Sequence, residues 1–324
     1  MWSIVVPVYN EEESLPKLYR RIASVAEEQG SDFEVIMIDD GSSDKSWSVI
    51  KSLFNENLQV HGIKLRRNFG KAAALSAGFE AACGDLVFTM DADLQDDPAE
   101  IPNLIAKLDE GFDVISGWKK IRHDPWHKVG PSRVFNWLIS KLTKVELHDH
   151  NCGLKAYRSE VLKEVYLYGE MHRFVPVLAA ARGFKVSEVV IQHQPRVHGV
   201  SKYGFERFVK GFLDLLTVYF LTGYGNRPQH LLGTIGLSIF LLGTGGLALL
   251  SMCWVMTRLL FQAENWIHLH DRAIFYFCIL ASLFGAQLIS IGFIAELITA
   301  QNRPGREPYS IETDTHDDLV QEQS

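Results

Sequence analysis

The 324-residue sequence has no disulfide or zinc framework: its four cysteines, Cys83, Cys152, Cys253 and Cys278, show neither paired spacing nor a metal-ligand pattern. That excludes a cross-linked secreted scaffold, and the thiols are expected to be reduced and structural. There is no excess of positive charge either, and a net charge of −7 argues against a general nucleic-acid surface. No basic n-region stands ahead of the first apolar run, because Met1 leads straight into Trp2-Ser3-Ile4-Val5-Val6-Pro7-Val8-Tyr9. No signal peptide is therefore expected, and the N-terminal part is expected to stay in the cytosol. No internal repeat is evident.

The most informative absence is local. Residues 231–257 and 273–295 carry no charged side chain, and each stretch is long enough to cross a bilayer as a helix. The alternative, two buried helices of a soluble core, is disfavoured because soluble helices that are apolar all round are rarely this long. A mean hydropathy of +0.01 hides this asymmetry. The expected organisation is a cytosolic domain over residues 1–204, an amphipathic juxtamembrane segment over 205–230, two transmembrane helices within 231–298 (about 231–257 and 273–297) and a polar cytosolic tail over 299–324, disordered after Arg306. Arg258 and Arg272 lie in the turn, against Arg227, Arg303 and Arg306 outside it, so charge orients the hairpin weakly. Two spans return the chain to its starting side. The expectation is a multi-pass protein of the inner or plasma membrane with both termini cytosolic.

What is present before the spans is an alternation of strand and helix. Strand-like runs at Trp2–Tyr9, Glu34–Ile38, Val60–Leu65, Leu86–Met90 and Asp113–Ser116 alternate with helical stretches at about 14–28, 44–55, 68–82 and 100–110. This implies an α/β fold with a mostly parallel sheet covered on both faces, in which ligands bind beyond the carboxyl ends of the strands. Three strands end there in acidic or polar clusters. Farther on, Phe205, Phe208, Phe212, Leu215, Leu216 and Tyr219 fall at helical spacing among Glu206, Arg207, Lys210 and Asp214. The segment reads as an amphipathic helix, either on the membrane surface or packed on the soluble domain.

The run Leu86–Met90 leads directly into Asp91-Ala92-Asp93-Leu94-Gln95. In a strand, alternate side chains share a face, so Asp91, Asp93 and Gln95 are expected to form one cluster of oxygen ligands. Hard oxygen ligands suit Mg²⁺ or Mn²⁺, and such an ion suits a diphosphate. The competing reading is an acidic loop, or a helix start capped by Asp before Pro98. Asp39 and Asp44 suit a turn and a helix cap, and Gly70-Lys71 suits a helix start.

Taken together, Ile4-Val5-Val6-Pro7-Val8-Tyr9-Asn10-Glu11, Ile38-Asp39-Asp40-Gly41-Ser42-Ser43-Asp44 and Asp91-Ala92-Asp93-Leu94-Gln95 resemble the motifs of family 2 glycosyltransferases of GT-A fold. With a C-terminal membrane hairpin, the chain resembles in particular the polyprenyl-phosphate glycosyltransferases, a group that includes dolichyl-phosphate mannose synthase. The resemblance spans roughly residues 3–305. It implies inverting transfer of a single sugar from a nucleotide-sugar, UDP-linked in preference to GDP-linked, to undecaprenyl or dolichyl phosphate at the cytosolic face. It implies that Pro7, Tyr9, Glu11 and Asp40 line the nucleotide pocket, with Lys71 and Asp91 also on the donor side. Asp91, Asp93 and Gln95 would hold the metal, and Asp93 and Asp149 would stand at the reaction centre. Arg122, Lys128, Ser132 and Arg133 would hold the acceptor phosphate, with Lys128 a point charge where a forked arginine is often found. Arg196, Ser201 and Lys202 would cover the donor diphosphate from a loop that Gly199 loosens. A basic patch attracted to anionic lipid is the other reading of that loop. The processive polysaccharide synthases of this fold carry a Gln-x-x-Arg-Trp element and further spans that this chain lacks, which favours one transfer over polymerisation. Rival expectations are the same fold acting on a glycolipid or oligosaccharide, or a non-catalytic membrane scaffold. Gly243, Gly245 and Gly246 would permit close helix packing and a homo-oligomer.

Overall fold

The computed structural model describes residues 1–120, 126–165, 167, 171–192, 206–224, 227–260 and 272–301. The described residues fall into two compact units, one spanning Met1–Tyr219 and a second beginning at Phe220.

The first unit is built on seven strands: β1 (Trp2–Val8), β2 (Phe33–Asp39), β3 (Val60–Lys64), β4 (Leu86–Thr89), β5 (Val114–Trp118), β6 (Lys155–Arg158) and β7 (Val186–Val190). They lie in one sheet in the order β3-β2-β1-β4-β6-β5-β7. β1 pairs in parallel with β2 and β4, β2 with β3, and β5 with β7, whereas β6 runs antiparallel between β4 and β5. Helices α1 (Leu15–Glu28), α2 (Ser46–Glu56), α3 (Lys71–Ala81), α4 (Ile101–Asp109), α5 (Trp126–Thr143), α6 (Ser159–Glu164), α7 (Val175–Ala181) and α8 (Glu206–Tyr224) as far as Tyr219 complete it. The sheet is mostly parallel, as the strand–helix alternation predicts. β6 and β7 escape a sequence reading because each is short and neither carries a clear run of large apolar residues.

Period-2 alternation divides β1 between two cores. Ile4, Val6 and Val8 pack with α1 (Leu15, Leu18, Ile22) and α4 (Leu104, Leu108) on one face. Val5, with Ile36, Ile38 and Val87, packs with α3, α5 and α7 on the other. Each fully buried Ile, Leu or Val contributes about 1.5–3 kcal/mol relative to exposure, so the central strands are the most firmly held part of the unit. Helix α3 lies especially close to the sheet. A Cβ at Gly78 would fall 2.8 Å from Ile38 Cδ1, and the small Ala72 and Ala74 are buried beside it. That approach sets the head of α3, at Lys71, over the carboxyl ends of the central strands.

Helix α8 packs on the first unit through one face. Leu215 and Val218 are fully buried in the second core, while Phe212, Leu213 and Leu216 are exposed on the other side.

The second unit contains α9 (Pro228–Leu260) and α10 (Ala273–Gln301), an antiparallel pair. At 1.5 Å per residue they measure roughly 50 and 44 Å, and both are long and apolar enough to cross a membrane. Their contact is lined by glycine. A Cβ at Gly285 would lie 2.5 Å from the Phe240 nitrogen and 2.6 Å from the Gly236 carbonyl oxygen, and one at Gly243 would lie 2.6 Å from the Ser282 nitrogen. Large apolar side chains such as Leu242, Leu259 and Phe277 point outward, the inverse of a soluble core.

Candidate active site

The acidic and polar clusters expected at the strand ends do converge, and backbone hydrogen bonds explain how. After β1 the chain turns through Asn10, a non-glycine residue at φ +57°. It is locked to the β2–α2 loop: Asn10 N–H donates to Ser42 Oγ (2.9 Å), and Asn10 Oδ1 accepts from Ser43 N–H (2.8 Å). Glu11 N–H donates to Ser46 Oγ (2.9 Å), and Glu12 Oε2 accepts from Lys45 N–H (2.8 Å). Asp39 Oδ1 accepts from Ser42 N–H and Asp44 Oδ1 from Ser46 N–H, both at 2.9 Å, so these two carboxylates serve the turn and the start of α2. Gly41 has φ +71°, and a Cβ there would lie 2.5 Å from the Arg67 carbonyl carbon. Only glycine suits both the angle and the approach.

Asp40 is buried, and both its oxygens are engaged. Oδ1 accepts from Phe69 N–H (2.7 Å) and Oδ2 from Gly70 N–H (2.9 Å). The carboxylate thus clamps the turn that opens α3. Gly70, at φ +95°, delivers Lys71 as the first residue of that helix. Lys71 Nζ then forms an ion pair with Asp91 across the strand ends.

Beyond β4, burial alternates along the acidic motif. Asp91, Asp93 and Gln95 are half-buried on one side, while Ala92, Leu94 and Asp96 are buried on the other. The alternation persists through a turn rather than a continued strand, with Leu94 at φ +61°. Asp93 Oδ1 accepts from Gln95 N–H at 3.2 Å. Beneath lies a set of buried charges. Asp96 pairs with Lys119 at 2.7 Å, and Lys155 Nζ donates to the Cys152 carbonyl oxygen. Burial would raise the pKa of Asp91, but the charges of Lys71, Lys119 and Lys155 overcome it and hold the carboxyl down at about 2. Burial likewise opposes the charge on Lys119, and Asp96 beside it more than restores it, raising its pKa. Asp96 itself is raised, chiefly by burial.

Gly153 fits against this motif. A Cβ on it would lie 2.6 Å from Asp91 Cγ, and its carbonyl accepts from Thr89 Oγ1 at 2.9 Å. Asp149 is buried nearby in sequence, its Oδ1 accepting from Asn151 N–H at 3.1 Å and its carbonyl from Ser116 Oγ at 3.2 Å.

Of the residues singled out from the sequence, Asp40, Lys71, Asp91, Asp93 and Gln95 are gathered along the edge where β1, β2 and β4 end. Pro7 lies in β1, opposite Ile38 of β2. Tyr9 is exposed and Glu11 half-buried in the loop that follows. Ser132 and Arg133 lie on α5, half-buried and exposed respectively, and Lys128 falls within the same helix. Arg122, Arg196, Ser201 and Lys202 lie outside the described residues. Sequence reasoning missed Gly153, Asp96, Lys119 and Lys155. Asp96 was the one with a signal, as the next buried position in the Asp91 alternation. Among the described residues no three His, Cys, Asp or Glu side chains gather into a metal cage. A divalent ion here would take one or two carboxylates and draw its other ligands from a substrate, the habit of Mg²⁺ at phosphate sites.

Comparison with known proteins matches residues 3–166 to the model of glycosyl transferase family 2. The chain is 38% identical over 301 residues to the dodecaprenyl-phosphate galacturonate synthase of Rhizobium johnstonii, covering 91% of this chain and 87% of that one. It is also 38% identical to the undecaprenyl-phosphate 4-deoxy-4-formamido-L-arabinose transferase of Shewanella sediminis, over 91% of this chain and 86% of that one. Among solved structures it resembles glucosyl-3-phosphoglycerate synthase from Mycobacterium tuberculosis in complex with Mn²⁺, uridine-diphosphate and phosphoglyceric acid. There the TM-score is 0.55 at 16% identity, covering 68% of this chain and 78% of that one, a likeness of fold.

Proposed function

The chain belongs to glycosyl transferase family 2, and from that premise we propose that it moves a single sugar from a nucleotide-sugar to a polyprenyl phosphate. The observation that carries the reading is the row of Asp91, Asp93 and Gln95, half-buried on one side of the chain at the carboxyl edge of the sheet. It belongs to a chain that follows relatives named as polyprenyl-phosphate sugar transferases and synthases over 91% of its length. The donor is a UDP-sugar in preference to a GDP-sugar. The acceptor phosphate attacks the anomeric carbon from the side opposite the leaving diphosphate. A C–O bond to the lipid phosphate forms as the C–O bond to the diphosphate breaks, and the bonding pair leaves with the diphosphate. The configuration inverts.

The donor set fits Mg²⁺ or Mn²⁺ on Asp93 and Asp91, with Gln95 as a neutral neighbour and phosphate oxygens completing the shell. Bound there, the ion would supply Lewis-acid neutralisation of charge on the departing diphosphate. The chain's own contribution is positional. Asp40 fixes the turn that presents Lys71, and Lys71 brings a cation to the edge where a diphosphate would lie. A phosphate acceptor is already ionised near neutral pH, so no strong general base is needed. The buried, hydrogen-bonded Asp149 suits orientation of a substrate or loop more than proton transfer. Arg122, Lys128, Ser132 and Arg133 would hold the acceptor phosphate, and Arg196, Ser201 and Lys202 would cover the donor. The helices α9 and α10 would span the inner or plasma membrane as a hairpin, with the N-terminal unit and both termini cytosolic.

The test is a radiolabel transfer assay with the detergent-purified full chain, undecaprenyl phosphate and a panel of UDP- and GDP-sugars, with Mg²⁺ or Mn²⁺ and then EDTA. Metal-dependent label in the lipid from one donor is the expected result. Label that enters only a glycolipid or oligosaccharide would replace the acceptor. Asp93→Asn is expected to lower turnover by about a hundredfold or more without lowering the melting temperature. Near-normal turnover in that variant would remove the metal from the proposal.

A further inference from the structure

Lys71 and Asp91 are joined in a way that bears on when the site becomes available to a metal ion. Lys71 stands at the head of α3, held there by the Asp40 bonds to Phe69 and Gly70, and its ammonium reaches a residue 20 positions later in the chain. Asp91 is closed off on one side by the backbone. Its carboxyl group lies against the α-carbon of Gly153, where even a methyl group would be 2.6 Å from Cγ. Both side chains are about one-third exposed, 31% for Lys71 and 34% for Asp91, so the pair sits at the open edge and not in the sealed core. Lys119 and Lys155 are close enough to act on Asp91 as well. The carboxylate is therefore already neutralised by cations of the chain itself. A divalent ion arriving alone meets an occupied carboxylate and a field of like charge.

We propose that Lys71 is a latch on the metal site: it occupies Asp91 while the donor site is empty and transfers to the diphosphate when the nucleotide-sugar binds, opening Asp91 to the divalent ion. The inference rests on the reading of Asp91 and Asp93 as metal ligands. Lysine suits the task because its ammonium is a point charge on a flexible four-carbon stem with rotatable donors. It can exchange one carboxylate oxygen for a phosphate oxygen without moving α3, whose close seat against Ile38 holds the helix in place. The anion that draws Lys71 away also supplies the missing metal ligands, so metal and nucleotide bind with positive coupling, and by linkage each strengthens the other equally. Lys71 is then a positioning residue for the metal site in addition to its contact with the donor.

The experiment measures Mn²⁺ binding by the full-length protein in detergent, from the EPR signal of free Mn²⁺, with and without UDP. Wild type should bind Mn²⁺ weakly alone and much more tightly with UDP. Lys71→Met should bind Mn²⁺ alone about tenfold more tightly than wild type, and the enhancement by UDP should shrink by about the same factor. Lys71→Gln, neutral and polar, should behave like Lys71→Met. Lys71→Arg keeps a cation on Asp91 and should bind Mn²⁺ alone no more tightly than wild type. A purely structural role for Lys71 would weaken binding in the neutral variants instead of strengthening it. Unchanged or weaker Mn²⁺ binding in both neutral variants overturns the latch. If wild type nonetheless binds Mn²⁺ with UDP and Asp93→Asn does not, the metal reading survives that failure. If wild type binds no Mn²⁺ even with UDP, the metal reading falls and the latch with it.

Discussion

At Gly153 the backbone passes so close to Asp91 that there is no room for a side chain. Glycine here is required by approach, not by dihedral angle, and the residue it makes room for is 62 positions earlier in the chain. The expected outcome for Gly153→Ala is a displaced Asp91 carboxylate. Overpacking of this kind costs about 1–3 kcal/mol, and the Lys71–Asp91 pair would be broken or lengthened. Transfer activity should fall by tenfold or more while most of the protein stays folded. Comparing initial rates with thermal melts of the variant checks this, and wild-type rates in folded Gly153→Ala would show that Asp91 tolerates the shift. Asp40 teaches a related lesson. Its place in the Asp39-Asp40-Gly41 motif marks it as important, but sequence does not show that both its oxygens are taken by the backbone N–H groups of Phe69 and Gly70.

At the level of elements, two close approaches decide what the site and the hairpin look like. Helix α3 rides low on the sheet because Gly78, Ala72 and Ala74 offer no bulk, and this carries Lys71 to the strand ends. In the second unit, α9 and α10 meet through Gly236, Gly243 and Gly285, where backbone packs on backbone. In a bilayer the hydrophobic effect gives no drive for helices to associate, so such small-residue packing is the main source of contact energy. Gly285→Leu is therefore expected to pry the two helices apart. A cysteine pair introduced at positions facing each other across Gly236 and Gly285 should cross-link readily in the parent and poorly in the leucine variant. Equal cross-linking would show that the glycine contact is dispensable. The small residues were visible in the sequence, but which of them face the partner helix was not: Gly245 has nothing within 4 Å, while Gly243 is pressed against Ser282.

For the molecule as a whole, the buried ionisable groups set the response to acid. His150 is fully buried, with Nε2 within 3.0 Å of Ser140 Oγ, and burial together with Lys155 pushes its pKa down to about 3. His172 is lowered well below its ordinary value by burial and then by Lys71 and Arg173. A histidine whose folded pKa is depressed stays neutral in the native state while the unfolded chain protonates near pH ~6.5. Stability is then lost as pH falls below ~6.5, by up to about 1.4 kcal/mol per pH unit for each such group. Asp91 acts lower on the scale: with a pKa near about 2, its contribution is intact above pH ~4 and is lost as pH falls towards 2. Melting temperature is accordingly expected to drop between pH 7 and 5 well before the carboxylates titrate. In His150→Asn the drop over that interval should be shallower. A parallel decline in both proteins would assign the acid sensitivity elsewhere.

Several features were settled by the sequence alone. They are the alternation of strand and helix, the placing of Asp91, Asp93 and Gln95 on one side, and the two uncharged stretches that became α9 and α10. Each depends on periodicity or composition over a few neighbouring residues, where backbone geometry and transfer energetics act locally. Only the tertiary structure decided that β6 enters antiparallel between β4 and β5, that α8 buries Leu215 and Val218, and that Gly153, Lys119 and Lys71 surround the acidic motif. These contacts join residues 20 to more than 60 positions apart. Their energies come from close packing and from charges withdrawn together from water, and no local pattern in the chain records which distant partner will supply them.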